Sequence, residues 1–127
     1  MHSGSHARAY TAAAAIPARR FVKFTADKTV GLATSATDDI IGVTADVGAD
    51  AAGDIVDVYR GGPAQVDFGG NVARGKEVVS DANGKAVQAA PAAGTTCRVG
   101  GIAEQSRVAG DIGLIEIGIA TKTAPAA

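Results

Sequence analysis

The sequence predicts a small all-β domain, a single-domain β-barrel or β-sandwich of about eight to ten short strands. Three observations carry that reading. First, the 127 residues include 28 Ala and 17 Gly, with 22 Val and Ile against two Leu. That is the usage of short strands joined by tight turns, not of a helix bundle. Second, apolar and polar residues alternate at a period of two, most clearly in Asp54-Ile55-Val56-Asp57-Val58-Tyr59. Third, turn residues punctuate the chain at short intervals. The Asn83-Gly84 pair between apolar runs is a hairpin signal, because both residues tolerate a positive φ.

Taken in order, residues 1–19 read as a flexible N-terminal arm. They open on Ser, Gly and His, which order poorly. Alanine biases residues 10–15 toward a helical turn too short to persist alone, and Pro17 stops it. The β domain is placed at residues 20–120, so removing residues 2–16 is expected to leave it folded. Strands are predicted at residues 20–24, 29–33, 39–44, 54–59, 64–68, 76–80, 85–88, 97–103 and 112–120. An Asp27-Lys28 turn separates the first two, and a Gly61-Gly62-Pro63 turn separates the fourth and fifth. Residues 45–53 and 89–95 are small-residue loops, and residues 121–127 are a fraying tail. The apolar run over residues 112–119 predicts burial on both faces of its strand, and with it self-association.

The order of elements recurs. Ile41-Gly42-Val43-Thr44-Ala45, a loop, and Ala52-Gly53-Asp54-Ile55 are echoed by Val99-Gly100-Gly101-Ile102-Ala103, a loop, and Ala109-Gly110-Asp111-Ile112. Each half also opens at an aspartate turn, Asp27-Lys28 and Asp81-Ala82-Asn83-Gly84. Two similar units predict a pseudo-two-fold internal repeat.

Charge and residue type exclude most chemistry. The net charge is -1, but residues 1–20 carry Arg8, Arg19 and Arg20 with no acid, leaving an acidic body. Such a body argues against direct nucleic-acid binding, and no apolar run approaches the roughly 18 residues of a membrane span. Both histidines, His2 and His6, lie in the arm, so the body has no Ser–His or Cys–His pair. Cys97 stands alone and reads as a small buried residue on a strand. Asp38, Asp39, Asp46, Asp50, Asp54 and Asp57 fall on alternating strands or in small-residue loops, as solvated faces and turn caps do. The glycines form no phosphate loop. No catalytic, cofactor or metal site is predicted.

The candidate partner-binding residues are therefore those of the arm and its root: Arg8, Tyr10, Ala12, Ala13, Ala14, Ala15, Ile16, Pro17, Arg19, Arg20 and Phe21. Positive charge favours an acidic groove on a neighbour. The alanine backbone can add to a strand edge, and Ile16 and Phe21 flank Pro17 as apolar anchors. One alternative is a carrier or binding module, similar in build to lipoyl and biotinyl domains, with Lys85 at a hairpin.

The run Gly75-Lys76-Glu77-Val78-Val79-Ser80-Asp81-Ala82-Asn83-Gly84-Lys85-Ala86-Val87, followed by Val99-Gly100-Gly101-Ile102-Ala103 and Ala109-Gly110-Asp111-Ile112, resembles the capsid cement, or head decoration, proteins of tailed bacteriophages. The resemblance covers most of residues 20–120. It implies a small β-rich, non-enzymatic structural protein without cofactors. Such a protein assembles, usually as a homotrimer, on the outer surface of the virion head. There it binds the major capsid protein and bridges neighbouring shell subunits against internal pressure. The arm matches no motif of that family.

Overall fold

The computed structural model describes residues 6–124, which form nine strands and no helix. They are β1 (His6–Ala12), β2 (Phe21–Ala26), β3 (Thr29–Leu32), β4 (Ile40–Thr44), β5 (Ile55–Asp67), β6 (Glu77–Ser80), β7 (Ala86–Gln88), β8 (Thr96–Ala103) and β9 (Ile112–Thr123). Neighbours follow the order β1-β3-β2-β4-β5-β9-β8-β6-β7. β1 also pairs antiparallel with β5, from His6 opposite Gly61 to Thr11 opposite Ile55. That pairing closes β1, β3, β2, β4 and β5 into a five-strand barrel. β5 continues through Gly62–Asp67 against β9, and a bridge from Phe68 to Ala86 of β7 closes a second ring.

The internal repeat is present in the backbone hydrogen bonds. Ala12 N–H donates to Asp54 O and Gly53 N–H to Ala12 O; in the second ring Phe68 N–H donates to Asp111 O and Gly110 N–H to Phe68 O. Gly53 and Gly110 share a φ of 91°. Ala13 N–H donates to Val30 O, as Gly69 N–H does to Ala86 O. The first unit is thus β1 to the start of β5, and the second is the end of β5 to β9. The later half of β5 does for the second ring what β1 does for the first.

Three expectations are corrected. Residues 6–12 of the predicted arm are not a free segment but β1, with Tyr10, Ala12 and the following Ile16 buried. Ile16 exchanges backbone hydrogen bonds with Ala49, so the domain begins within the segment expected to be outside it. Its pairing to β3 and β5 outweighs the weak helical bias of its alanines. Gly61-Gly62-Pro63 is no turn: β5 runs through it, bending at Gly62 (φ 78°) as its partner changes from β1 to β9. Finally, β9 extends to Thr123, because residues 120–123 stay paired with β8. The more terminal residues of the arm and tail, His2 among them, lie outside the described residues.

The core has two main parts. Tyr10, Ile16, Val22, Val30, Val56 and Val58 fill the first barrel. Phe21, Ile40 and Val43, from the outside of that barrel, join Val66, Phe68, Val78, Ile115 and Ile117 in the second. On β9, Gly113, Ile115 and Ile117 are buried while Ile112 and Glu116 are exposed, so in the single chain this strand buries one face only.

Two equivalent glycines fix how close the strands come. A Cβ on Gly42 would lie 2.0 Å from Tyr59 O, and one on Gly101 would lie 2.3 Å from Glu116 O. Gly42→Ala and Gly101→Ala are each expected to cost about 2 kcal/mol or more in urea unfolding, because backbone must move. Gly118→Ala, where a Cβ meets nothing within 4 Å, is expected to be neutral. Deleting residues 2–16 removes β1 and Ile16 and opens the first barrel. The expected loss exceeds about 3 kcal/mol, read by the same measurement, with each buried apolar side chain worth about 1.5–3 kcal/mol.

Candidate functional site

The residues singled out by sequence divide sharply by environment. Arg19 and Arg20 face inward on one carboxylate. Arg19 Nε donates to Asp67 Oδ1 at 3.2 Å and Arg20 Nε to Asp67 Oδ2 at 3.0 Å, while Arg20 Nη1 donates to Asn83 O. The backbone between them is pinned by buried Thr44, whose Oγ1 accepts from Arg20 N–H and donates to Pro17 O. Arg19 holds a φ of 59°, a left-handed conformation that a non-glycine residue keeps only when its surroundings enforce it. These two arginines tie the β1–β2 connection to the end of β5. Phe21 is fully buried, as are Ala12 and Ile16 within a few per cent, and Tyr10 is buried with its hydroxyl accepting from Arg60 Nη1 at 2.7 Å.

Arg8, Ala13, Ala14, Ala15 and Pro17 remain exposed. Ala15 and Pro17 line a shallow open depression of about 630 Å³ with Val47, Gly48 and Ile55, over Ile16. Val47 is 77% exposed and Ile55 66%, unusual values for such side chains. The rim is shaped by Asp54, whose Oδ2 accepts from the N–H groups of Asp50 and Ala51 and so caps the loop before β5. The site offers apolar contact, backbone and the carboxylates of Asp50 and Asp54, with no Ser, Cys, His or Lys among its lining residues. Val47 and Ile55 escaped the sequence reading because the alternation of residues 54–59 marks Ile55 as half-buried, and Val47 sits in an irregular loop.

The other single residues have structural surroundings. Cys97 is buried with Val79 and Val99, and that burial pushes its thiol pKa up. Asp38 accepts from Thr34 N–H and from Lys23 Nζ. Lys85 is half-buried with its N–H on Asp81 Oδ1, while Ala82 and Asn83 form the exposed tip of that hairpin. Among the described residues no three His, Cys, Asp or Glu side chains converge as metal ligands.

The two fused rings supply the comparison that matters. The chain is similar in fold to the N base of head fiber gp8.5 of bacteriophage phi29. The likeness has a TM-score of 0.65 and covers 90% of this chain and 94% of the gp8.5 N base, with 22% of residues identical. No protein-family model and no curated protein matches the sequence. The likeness to the gp8.5 N base therefore lies in the architecture, over 90% of the chain.

The Lys23–Asp38 pair joins β2 to the loop before β4 and makes a pH-dependent contribution. Burial opposes charge on Asp38, but the Thr34 N–H and the Lys23 ammonium at 3.1 Å outweigh it and hold its carboxyl below the ordinary aspartate value of 3.8. A depressed folded pKa contributes stability that is complete above the unfolded value and is lost as pH falls through the folded one. Asp38→Asn is thus expected to cost about 1 kcal/mol at pH 7. In urea unfolding the gap from the native sequence should close on acidification to about pH 2; a constant gap contradicts the assignment.

Proposed function

We propose that this chain is a non-enzymatic structural protein of a bacteriophage head, held on the outer surface of the shell by the major capsid protein and bridging neighbouring subunits. The observation that carries the reading is the fold shared with a head-fiber base over 90% of the chain. The hairpin and Ala-Gly-Asp motifs that resemble capsid cement proteins support it independently. The depression formed by Ala15, Pro17, Val47 and Ile55 supplies a contact of suitable chemistry. Covering exposed valine and isoleucine releases about 1.5–3 kcal/mol per side chain, and a loop already held by the Asp54 cap has less conformational freedom to lose on docking. Exposed Ile112 on β9 offers a second apolar surface suited to assembly as a homotrimer. The carrier reading loses its main support, since Lys85 stands below the hairpin tip and is half-buried.

Gradient-purified virions of the source phage, analysed by mass spectrometry, are expected to contain the chain in fixed ratio to the major capsid protein. Its absence from virions would overturn the proposal. Val47→Asp with Ile55→Asp is expected to leave the unfolding transition in place and to weaken binding to heads tenfold or more. Unchanged binding would remove this depression as the contact.

A further inference from the structure

One end of the first barrel is open to solvent, and its side chains differ in kind from those at the same positions of the second repeat. Tyr10 on β1, Phe24 on β2 and Arg60 on β5 meet there. Tyr10 and Phe24 pack edge to face, with ring centroids 5.5 Å apart and planes at 79°. Arg60 lies over the Phe24 ring, 5.9 Å from its centroid, donates from Nε to Ile41 O at 2.9 Å and from Nη1 to the Tyr10 hydroxyl at 2.7 Å. With Arg8 and Lys28 these residues line a depression of about 550 Å³. Phe24 is 46% exposed.

The charges at this end are unspent. Arg19, Arg20, Lys23, Arg98 and Lys122 each have a carboxylate within 4 Å. Among the described residues Arg8, Lys28 and Arg60 have none within that distance; nor do Arg74, Lys76, Lys85 and Arg107, but Arg8, Lys28 and Arg60 line one depression together with Tyr10 and Phe24. A guanidinium carries five N–H donors in a fixed fork, and the two hydrogen bonds above leave three of Arg60's free. Its plane is already set by a carbonyl, a hydroxyl and a ring face, so accepting a carboxylate costs little ordering.

The second repeat shows what this end of the fold is used for. The hydrogen-bond register that equates Ala12 with Phe68 places Ala64 at the position of Arg8, Val66 at Tyr10, Ser80 at Phe24, Gly84 at Lys28 and Ile117 at Arg60. All five are buried. The polypeptide of the first barrel packs over this end: Phe21 O and Leu32 lie against Gly84, and Phe21, Ile40 and Val43 share one core cluster with Ala64, Val66 and Ile117. At the equivalent end of the first repeat this set of small and aliphatic residues is replaced by cations and aromatic rings, and no described part of the chain covers it.

We propose that the open end of the first barrel is a docking site for an acidic segment of another polypeptide, whose aspartate or glutamate carboxylate is received by Arg60 with Arg8 and Lys28 beside it. A polypeptide occupant follows from the second repeat, where the same end is covered by protein; the carboxylate follows from three unpaired cations around an aromatic floor. The site stands on the geometry of the isolated chain and does not depend on where that chain assembles.

Nitrogen-15 NMR of the full chain, observing backbone amides and arginine Nε–H groups, tests the proposal with hexaglutamate as the probe. Hexaglutamate is expected to shift Arg60 Nε–H and the amides of Arg8, Phe24 and Lys28. Arg60→Gln is expected to weaken binding at least fivefold. Because that variant also removes bonds to Tyr10 and Ile41, the double variant Arg8→Gln, Lys28→Gln serves as the partner test. Both positions are exposed and carry no internal side-chain bond, so the variant should fold normally and bind at least fivefold more weakly. Shifts clustered elsewhere, or undiminished binding by the double variant, would overturn the proposal. So would tighter binding of an oligothymidylate of equal charge, which would mark a nucleic-acid site instead.

Discussion

Strand β5 belongs to two closed sheets at once, and the rest of the molecule is arranged around that sharing. Its first half is paired with β1 and β4, its second with β9, and the handover occurs without a break in the strand at Gly62. The two rings therefore cannot separate as beads on a linker would; parting them would tear a continuous ladder. This is why Phe21, Ile40 and Val43, on the outer face of one barrel, lie in the interior of the other. It also explains the position of Asp67. At the end of the shared strand, one carboxylate holds both Arg19 and Arg20 and so anchors the segment that enters β2.

Much of this was legible from residue order. β2 to β4 and β6 to β9 fall where alternation and turn chemistry place them, because a hairpin's signals are local: Asp27-Lys28 and Asn83-Gly84 mark their own turns. The repeat was legible for the same reason. β1 was not. His-Ala-Arg-Ala-Tyr-Thr-Ala has low strand propensity, and its inward positions carry a tyrosine and small residues, so nothing local distinguishes it from an arm. What makes it a strand is the edge of β5, far along the chain. The Gly61-Gly62-Pro63 run misleads in the opposite sense, since the same residues that make turns also let a strand bend while it changes partners.

The candidate residues show the same division between local and distant information. Counting charges identified the arginines near the N-terminus but gave no sign that Asp67 takes two of them. The exposed positions, Arg8, Ala13 to Ala15 and Pro17, were found, while Val47, Ile55, Phe24, Lys28 and Arg60 were passed over as loop, turn or ordinary strand residues. One signal available in the sequence marks some of them. Aligned through their common turns, the two halves agree in pattern and diverge where Arg60 stands against Ile117 and Lys28 against Gly84. In a duplicated fold such divergence separates positions that hold the architecture from positions with another task.

The closure of the first barrel also orders events in time. β1 is synthesised before both of its partners, and its antiparallel partner is β5, at the far end of the same repeat. The β2–β3 and β2–β4 pairings close shorter loops and can form while β1 is still unseated, since loop-closure entropy favours the nearer contacts. Until β5 emerges, Tyr10 and Ile16 have no enclosed place to go. The first of the five barrel strands to be made is thus the last to be seated, and its arrival turns an open sheet with two raw edges into a shell with none.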